Sequence, residues 1–156
     1  MSEIEKIRGS FRPAQTTVLF IGESAPSSGK FFYCANTKLF REMKKALDGD
    51  EEFLGKFKDR GYYLDDLVSY PINQFTKARE KRPHYDASVE PLAGRIAVEK
   101  PTSAIIIVGL GISNWVRKAA HIAQFTGSIY DVPFPGRPEH TQRFQTTMAA
   151  NKGSVR

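Results

Sequence analysis

The chain has 156 residues, 40% apolar and 12% aromatic, the size and composition of one domain with a buried core. Its single cysteine, Cys34, excludes an internal disulfide framework, zinc ribbons and iron–sulfur clusters; His84, His121 and His140 lack local metal-site spacing, so a mechanism without metal or cofactor is expected. The net charge of +6 favours a polyanionic partner through counterion release, with plain solubility as the alternative reading.

No run approaches the roughly 18 apolar residues of a membrane span, and the charged stretch through Phe11 has no apolar signal core. The expectation is a soluble, cytoplasmic monomer of one domain over residues 1–156, with 1–14 and 150–156 as flexible ends.

In chain order, Thr16–Ile21 (TTVLFI) is a β-branched, apolar run ending in GESAPSSG, which reads as a buried strand feeding a loop. A helix follows, capped by Asn36 or Thr37, with Leu39, Phe40, Met43 and Leu47 on one face and Gly49 as a left-handed stop. A second helix over Glu51–Arg60 gathers Phe53, Leu54 and Phe57 before Gly61, and Tyr62–Val68 reads as strand two. Ser69–Tyr85 mixes prolines with five basic side chains, Lys77, Arg79, Lys81, Arg82 and His84, and predicts a long surface loop.

Ser88 then caps a helix through Val98, with Pro91 in its first turn and Val89, Leu92, Ala93 and Ile96 facing inward. Ser103–Val108 (SAIIIV) is continuously apolar, as in a central parallel strand covered on both faces, and GLGISN turns into a helix carrying Trp115, Val116 and Ala119. Ser128–Val132 is the fourth strand, PFPGRPEH a loop, and an amphipathic helix starts near Thr141. The expected fold is therefore α/β, a three-layer sandwich around a four-stranded parallel sheet, with ligands at the carboxyl ends of the strands.

Two glycine-rich turns invite nucleotide readings and fail in detail. GESAPSSGKFF has Ser24 where a P-loop needs its first glycine and Phe31 where it needs a magnesium-holding hydroxyl. GLGISN has Asn114 in place of the third glycine of a dinucleotide fingerprint, and too little chain follows it.

Taken together, three loops carry a different pattern. GES followed by SGKFFYCANTKLF resembles the first motif of the uracil-DNA glycosylase superfamily, above all its thermostable iron–sulfur branch, where GEAPG precedes TGRPFVGRAGQLL; Gly29, Lys30, Phe32 and Leu39 match in register. YYLDDLVSYPIN resembles that branch's VYITNIVKCRPP, KPTSAIIIVGLG its RPKVIVALG, and VPFPGRPEHTQRF the second family motif, an HPS-type loop entering the last helix. The resemblance spans nearly the whole chain, but the cluster cysteines are missing, which makes this a smaller, cluster-free relative.

The resemblance implies a DNA base glycosylase that flips a deaminated or modified base into a pocket and hydrolyses its N-glycosidic bond. Phe32 takes the position that stacks on the base, a contribution of about 1 to 3 kcal/mol, or else packs in the core. Gly22, Glu23 and Ser24 form the loop that touches the base and holds the attacking water, with Glu23 as the general base and the water oriented near Glu23 and Asp66, both expected to be catalytic.

Two departures matter. Asp66, beside Asp65, stands where the family reads the uracil edge with asparagine; an ionised carboxylate only accepts hydrogen bonds, so Asp66 is protonated, or prefers an edge with two donors, or caps the following loop. Phe134, expected among the residues that contact the base, stands where the family has the histidine that stabilises the departing base anion, a task no apolar ring can perform. Arg137 and His140 either substitute for it or contact the DNA backbone, as would Lys77 and Arg79 from the basic loop. The alternative function is a catalytically weak or inactive member that binds nucleic acid or a free nucleobase in the same pocket.

Overall fold

A computed structural model describes residues 2–151 and shows an α/β architecture in which four parallel strands form one sheet flanked by helices. The strands are β1 (Val18–Gly22), β2 (Tyr62–Asp66), β3 (Ala104–Val108) and β4 (Ser128–Val132), in the order β2-β1-β3-β4. Every residue of β1, β2 and β3 is buried; since successive side chains point to opposite faces, both faces of these strands are covered. β4 lies at an edge and is only partly buried until Val132.

The helices are α1 (Glu3–Ser10), α2 (Lys38–Ala46), α3 (Phe53–Asp59), α4 (Ala78–Glu99), α5 (Ser113–Ile122) and α6 (Pro138–Asn151). Thr37 caps α2 as expected, its hydroxyl accepting from the Phe40 amide at 3.1 Å, and Gly61, with φ +80, ends the α3 segment. The stop after α2 differs: Asp48, not Gly49, takes the left-handed conformation. Gly49 is required for closeness instead, because a Cβ there would lie 2.4 Å from the Phe53 ring.

Two segments depart from the sequence reading. The first is the N-terminal end expected to be flexible, where residues 3–10 form a capped helix with Arg8 only 4% exposed. Arg8 Nη1 donates to the Leu64 carbonyl at 3.0 Å, while the Tyr33 hydroxyl accepts from the Leu64 amide at 2.6 Å. The outer edge of β2 would otherwise present unpaired main-chain groups, so α1 and the Tyr33 turn close it. Of the other end expected to be flexible, residues 152–156 lie outside the described residues, and α6 runs up to Asn151.

The second is the basic loop. The chain is helical from Ala78, ten residues before the expected start, and Ser88 is no cap but bonds back to the His84 carbonyl at 2.7 Å from within α4. Pro91, expected in the first turn, lies inside the helix as Pro83 does, and each forfeits a helical N–H. Tertiary contacts outweigh that loss: Tyr85, Val89, Leu92, Ala93 and Ile96 are buried, and His84 stacks on Phe75 with ring centroids 4.7 Å apart.

In the strand order, β1 leads to a neighbour on one side and β3 to a neighbour on the other, so the winding reverses between them. The crevice beyond the ends of these two strands is where open α/β sheets place ligands.

Candidate functional site

A cavity of about 400 Å³ opens at that crevice, within the range of small-ligand pockets, roughly 300–1,000 Å³. Its walls come from the ends of the four strands and the connections after them: Gly22–Pro26 at β1, Leu64, Asp66 and Asn73 at β2, Val108, Gly109, Gly111 and Ile112 at β3, and Phe134 after β4. Phe31, Phe32 and the first turn of α2, Thr37 to Leu39, complete it. The three loops singled out in the sequence therefore converge, and the GLGISN turn joins them.

Of the residues expected to hold a base, Gly22, Glu23, Ser24, Phe32, Asp66 and Phe134 all line this cavity. Gly22 sits there for steric reasons: a Cβ would fall 2.8 Å from Asp66 Oδ1, so only glycine lets the ends of β1 and β2 meet so closely. Phe32 is 3% exposed and makes edge contacts with Tyr33 and Phe40, with centroids at 5.1 and 5.8 Å. It is thus packed in the core, the second of its two expected roles, and what surface remains lies on the cavity wall. Phe134, by contrast, is 48% exposed at the mouth.

Asp66 ends β2, buried. Its Oδ2 accepts from Arg8 Nη2 at 3.0 Å, Arg8 Nη1 lies 3.8 Å from Asp65 Oδ1, and Asp65 Oδ2 accepts from Arg95 Nε at 2.8 Å. Two carboxylates and two guanidiniums thus alternate beneath the cavity, tying α1 and α4 to the end of β2. Burial pushes the Asp66 carboxyl above its usual range and the Asp65 charge adds to that, while Arg8 pulls it down. Burial also works against the Arg8 charge, but Asp66 and Asp65 outweigh it and keep the guanidinium protonated.

Glu23 is placed differently. Its side chain is 36% exposed; Oε2 accepts from the Tyr85 hydroxyl and pairs with Lys81 Nζ at 3.3 Å. Both partners stand one turn apart on the N-terminal half of α4, the part of the helix that replaces the expected loop. Tyr85 is held in turn by Trp115, with ring centroids 5.0 Å apart. Burial, and then the Glu23 carboxylate, push the Tyr85 hydroxyl above its usual range, so it remains a donor.

Arg137, His140, Lys77 and Arg79 do not line the cavity. Lys77 and Arg79 lie exposed at the start of α4; Arg137 precedes α6 and His140 sits in its first turn. Arg8, Lys38, Asn73 and Tyr85 carried no expectation as site residues. Asn73 Oδ1 accepts from the Ser27 amide at 3.2 Å, which joins the loops after β1 and β2. Asn73 closes the YPIN segment and Lys38 the NTK segment, both read for their motifs alone.

Among the described residues no helix is long and apolar enough to cross a membrane. Compared with protein-family models and with curated proteins, the sequence matches none of either.

Proposed function

We propose that this chain is a uracil-DNA glycosylase-like DNA base glycosylase. A deaminated or modified base, extruded from the helix, enters the cavity and lies against the Phe32 wall, and water hydrolyses its N-glycosidic bond. One observation carries this reading: four segments resembling that superfamily, far apart in the chain, line a single cavity with a carboxylate at its wall, Glu23, anchored by Tyr85 and Lys81. A carboxylate with two donors behind it keeps a fixed orientation, which a general base needs in order to align water with the sugar C1′. The carboxylate takes the water proton, the oxygen adds to C1′, and the bonding pair departs with the base.

Asp66 does not share that task. Its Oδ2 is committed to Arg8, so it presents Oδ1 to the cavity beside Gly22. There it accepts from an N–H on the base edge.

The test is incubation with duplexes holding uracil, hypoxanthine, xanthine or a methylated base, followed by alkali. Strand breakage at one of these bases is expected, falling about 100-fold or more in Glu23→Gln with the thermal midpoint unchanged. No breakage at any base overturns the reading. Phe134, in place of a histidine, favours the second reading, a pocket that binds nucleic acid or a free base without cutting it; salt-dependent binding without breakage is its signature.

A further inference from the structure

The cavity is lined by three charged side chains, Glu23, Asp66 and Lys38, of which Lys38 is the one cation among the described residues. Lys38 opens α2, where the helix dipole disfavours a positive charge and no acidic residue stands in the first turn. Among the described residues no carboxylate pairs with it. Its ammonium reaches the Gly136 carbonyl at a long 3.4 Å, which leaves two of its three donors uncommitted. Gly136 belongs to the loop that carries Phe134, so the ammonium bridges α2 and the mouth of the cavity. A cation placed against its local dipole, half-buried and facing a cavity, is an electrostatic arrangement that an anionic ligand completes.

We infer that Lys38 is the group that receives negative charge on the bound ring. The inference rests on the glycosylase reading for its role in the reaction. As the bond between C1′ and the ring nitrogen breaks, both electrons pass to the ring, which departs as an anion. Lys38 donates a hydrogen bond to that anion while water adds to C1′ and yields its proton to Glu23. The ring later takes a proton from solvent. Because charge develops only as the bond breaks, the ammonium acts on the transition state more than on the neutral bound base.

The experiment compares two free rings of similar shape, barbiturate, an anion at neutral pH, and neutral uracil. Their binding to the full chain is measured by calorimetry for wild type, Lys38→Met and Lys38→Arg. Wild type is expected to bind barbiturate about tenfold more tightly than uracil; Lys38→Met should abolish the preference and Lys38→Arg keep most of it. Thermal melting checks that Lys38→Met, which keeps the aliphatic stem, is folded.

A preference that survives Lys38→Met overturns the inference, as does wild type binding both rings equally or neither. Strand breakage in the base panel together with such a result leaves the glycosylase reading standing and removes Lys38 from it. A Lys38-dependent preference with no breakage keeps the anion site and overturns the glycosylase reading.

Discussion

Two carboxylates face the same cavity, and their surroundings assign them different work. Asp66 ends a strand, is buried, and is locked by Arg8 from a helix 58 residues earlier in the chain. Glu23 lies on the loop after β1, reaches solvent, and is held by a phenol and an ammonium on α4. The first arrangement joins α1, α4 and the sheet, and the second keeps a carboxylate oriented while leaving it open to solvent. On the proposed reading, proton transfer belongs to the carboxylate that remains accessible, while the buried one holds the floor together and meets the base edge.

Breaking the floor should have the largest effect. Arg8→Met leaves Asp66 without its counter-ion and uncovers the edge of β2, so urea unfolding should show a loss of about 3–5 kcal/mol. A loss of under about 1 kcal/mol, the size seen for exposed ion pairs, would make the two carboxylates alike in kind.

Asp66→Asn should cost less, about 1–2 kcal/mol, because the amide oxygen still accepts from Arg8 and the neutral group suits burial. The pH dependence sharpens the distinction. With its folded-state value raised above 3.8, Asp66 holds a proton in the native state that the unfolded chain has already released. Its contribution to stability is therefore greatest below the unfolded value and falls as pH rises through the folded one. Urea midpoints followed from acid to neutral pH should show that declining component in wild type and lack it in Asp66→Asn. Identical profiles would mean that Arg8 keeps Asp66 ionised throughout.

The sheet was legible in the sequence because its signals are local. SAIIIV reads as a strand buried on both faces, and Ser128–Val132 has the bounds found in the structure. Thr37 and Gly61 act at the helix ends where their chemistry placed them. The α1 helix was not legible, because Ile4, Ile7 and Phe11 make only a narrow apolar stripe among charged residues, and the arginine that anchors it binds 58 residues away. The start of α4 was hidden by Pro83 and a run of basic residues, which argue for a loop until His84 and Tyr85 find partners on other elements.

The same division runs through the site. Gly22, Glu23, Asp66 and Phe134 follow strands or match motifs, so position alone brought them forward. Lys38 and Asn73 depend on which way a side chain turns, and neither spacing nor composition encodes that. Tyr85 was invisible for a further reason: its role exists only if the segment around it is helical, the opposite of what its neighbours advertise.

The most discriminating change on the accessible side is also the smallest. Tyr85→Phe removes one oxygen and keeps the ring, so the contact with Trp115 and the packing of α4 persist and the thermal midpoint should stay where it is. Glu23 then keeps Lys81, a flexible partner at 3.3 Å, and loses the rigid one. A phenol fixes direction because its oxygen is set by a packed ring, whereas a lysine head follows the carboxylate as it moves. The turnover rate should fall about tenfold, near 1.4 kcal/mol, with KM unchanged, because misalignment acts on the proton transfer and not on how the base is held. A rise in KM at constant turnover would instead place Tyr85 among the groups that bind the base, and the two carboxylates would then differ in burial alone.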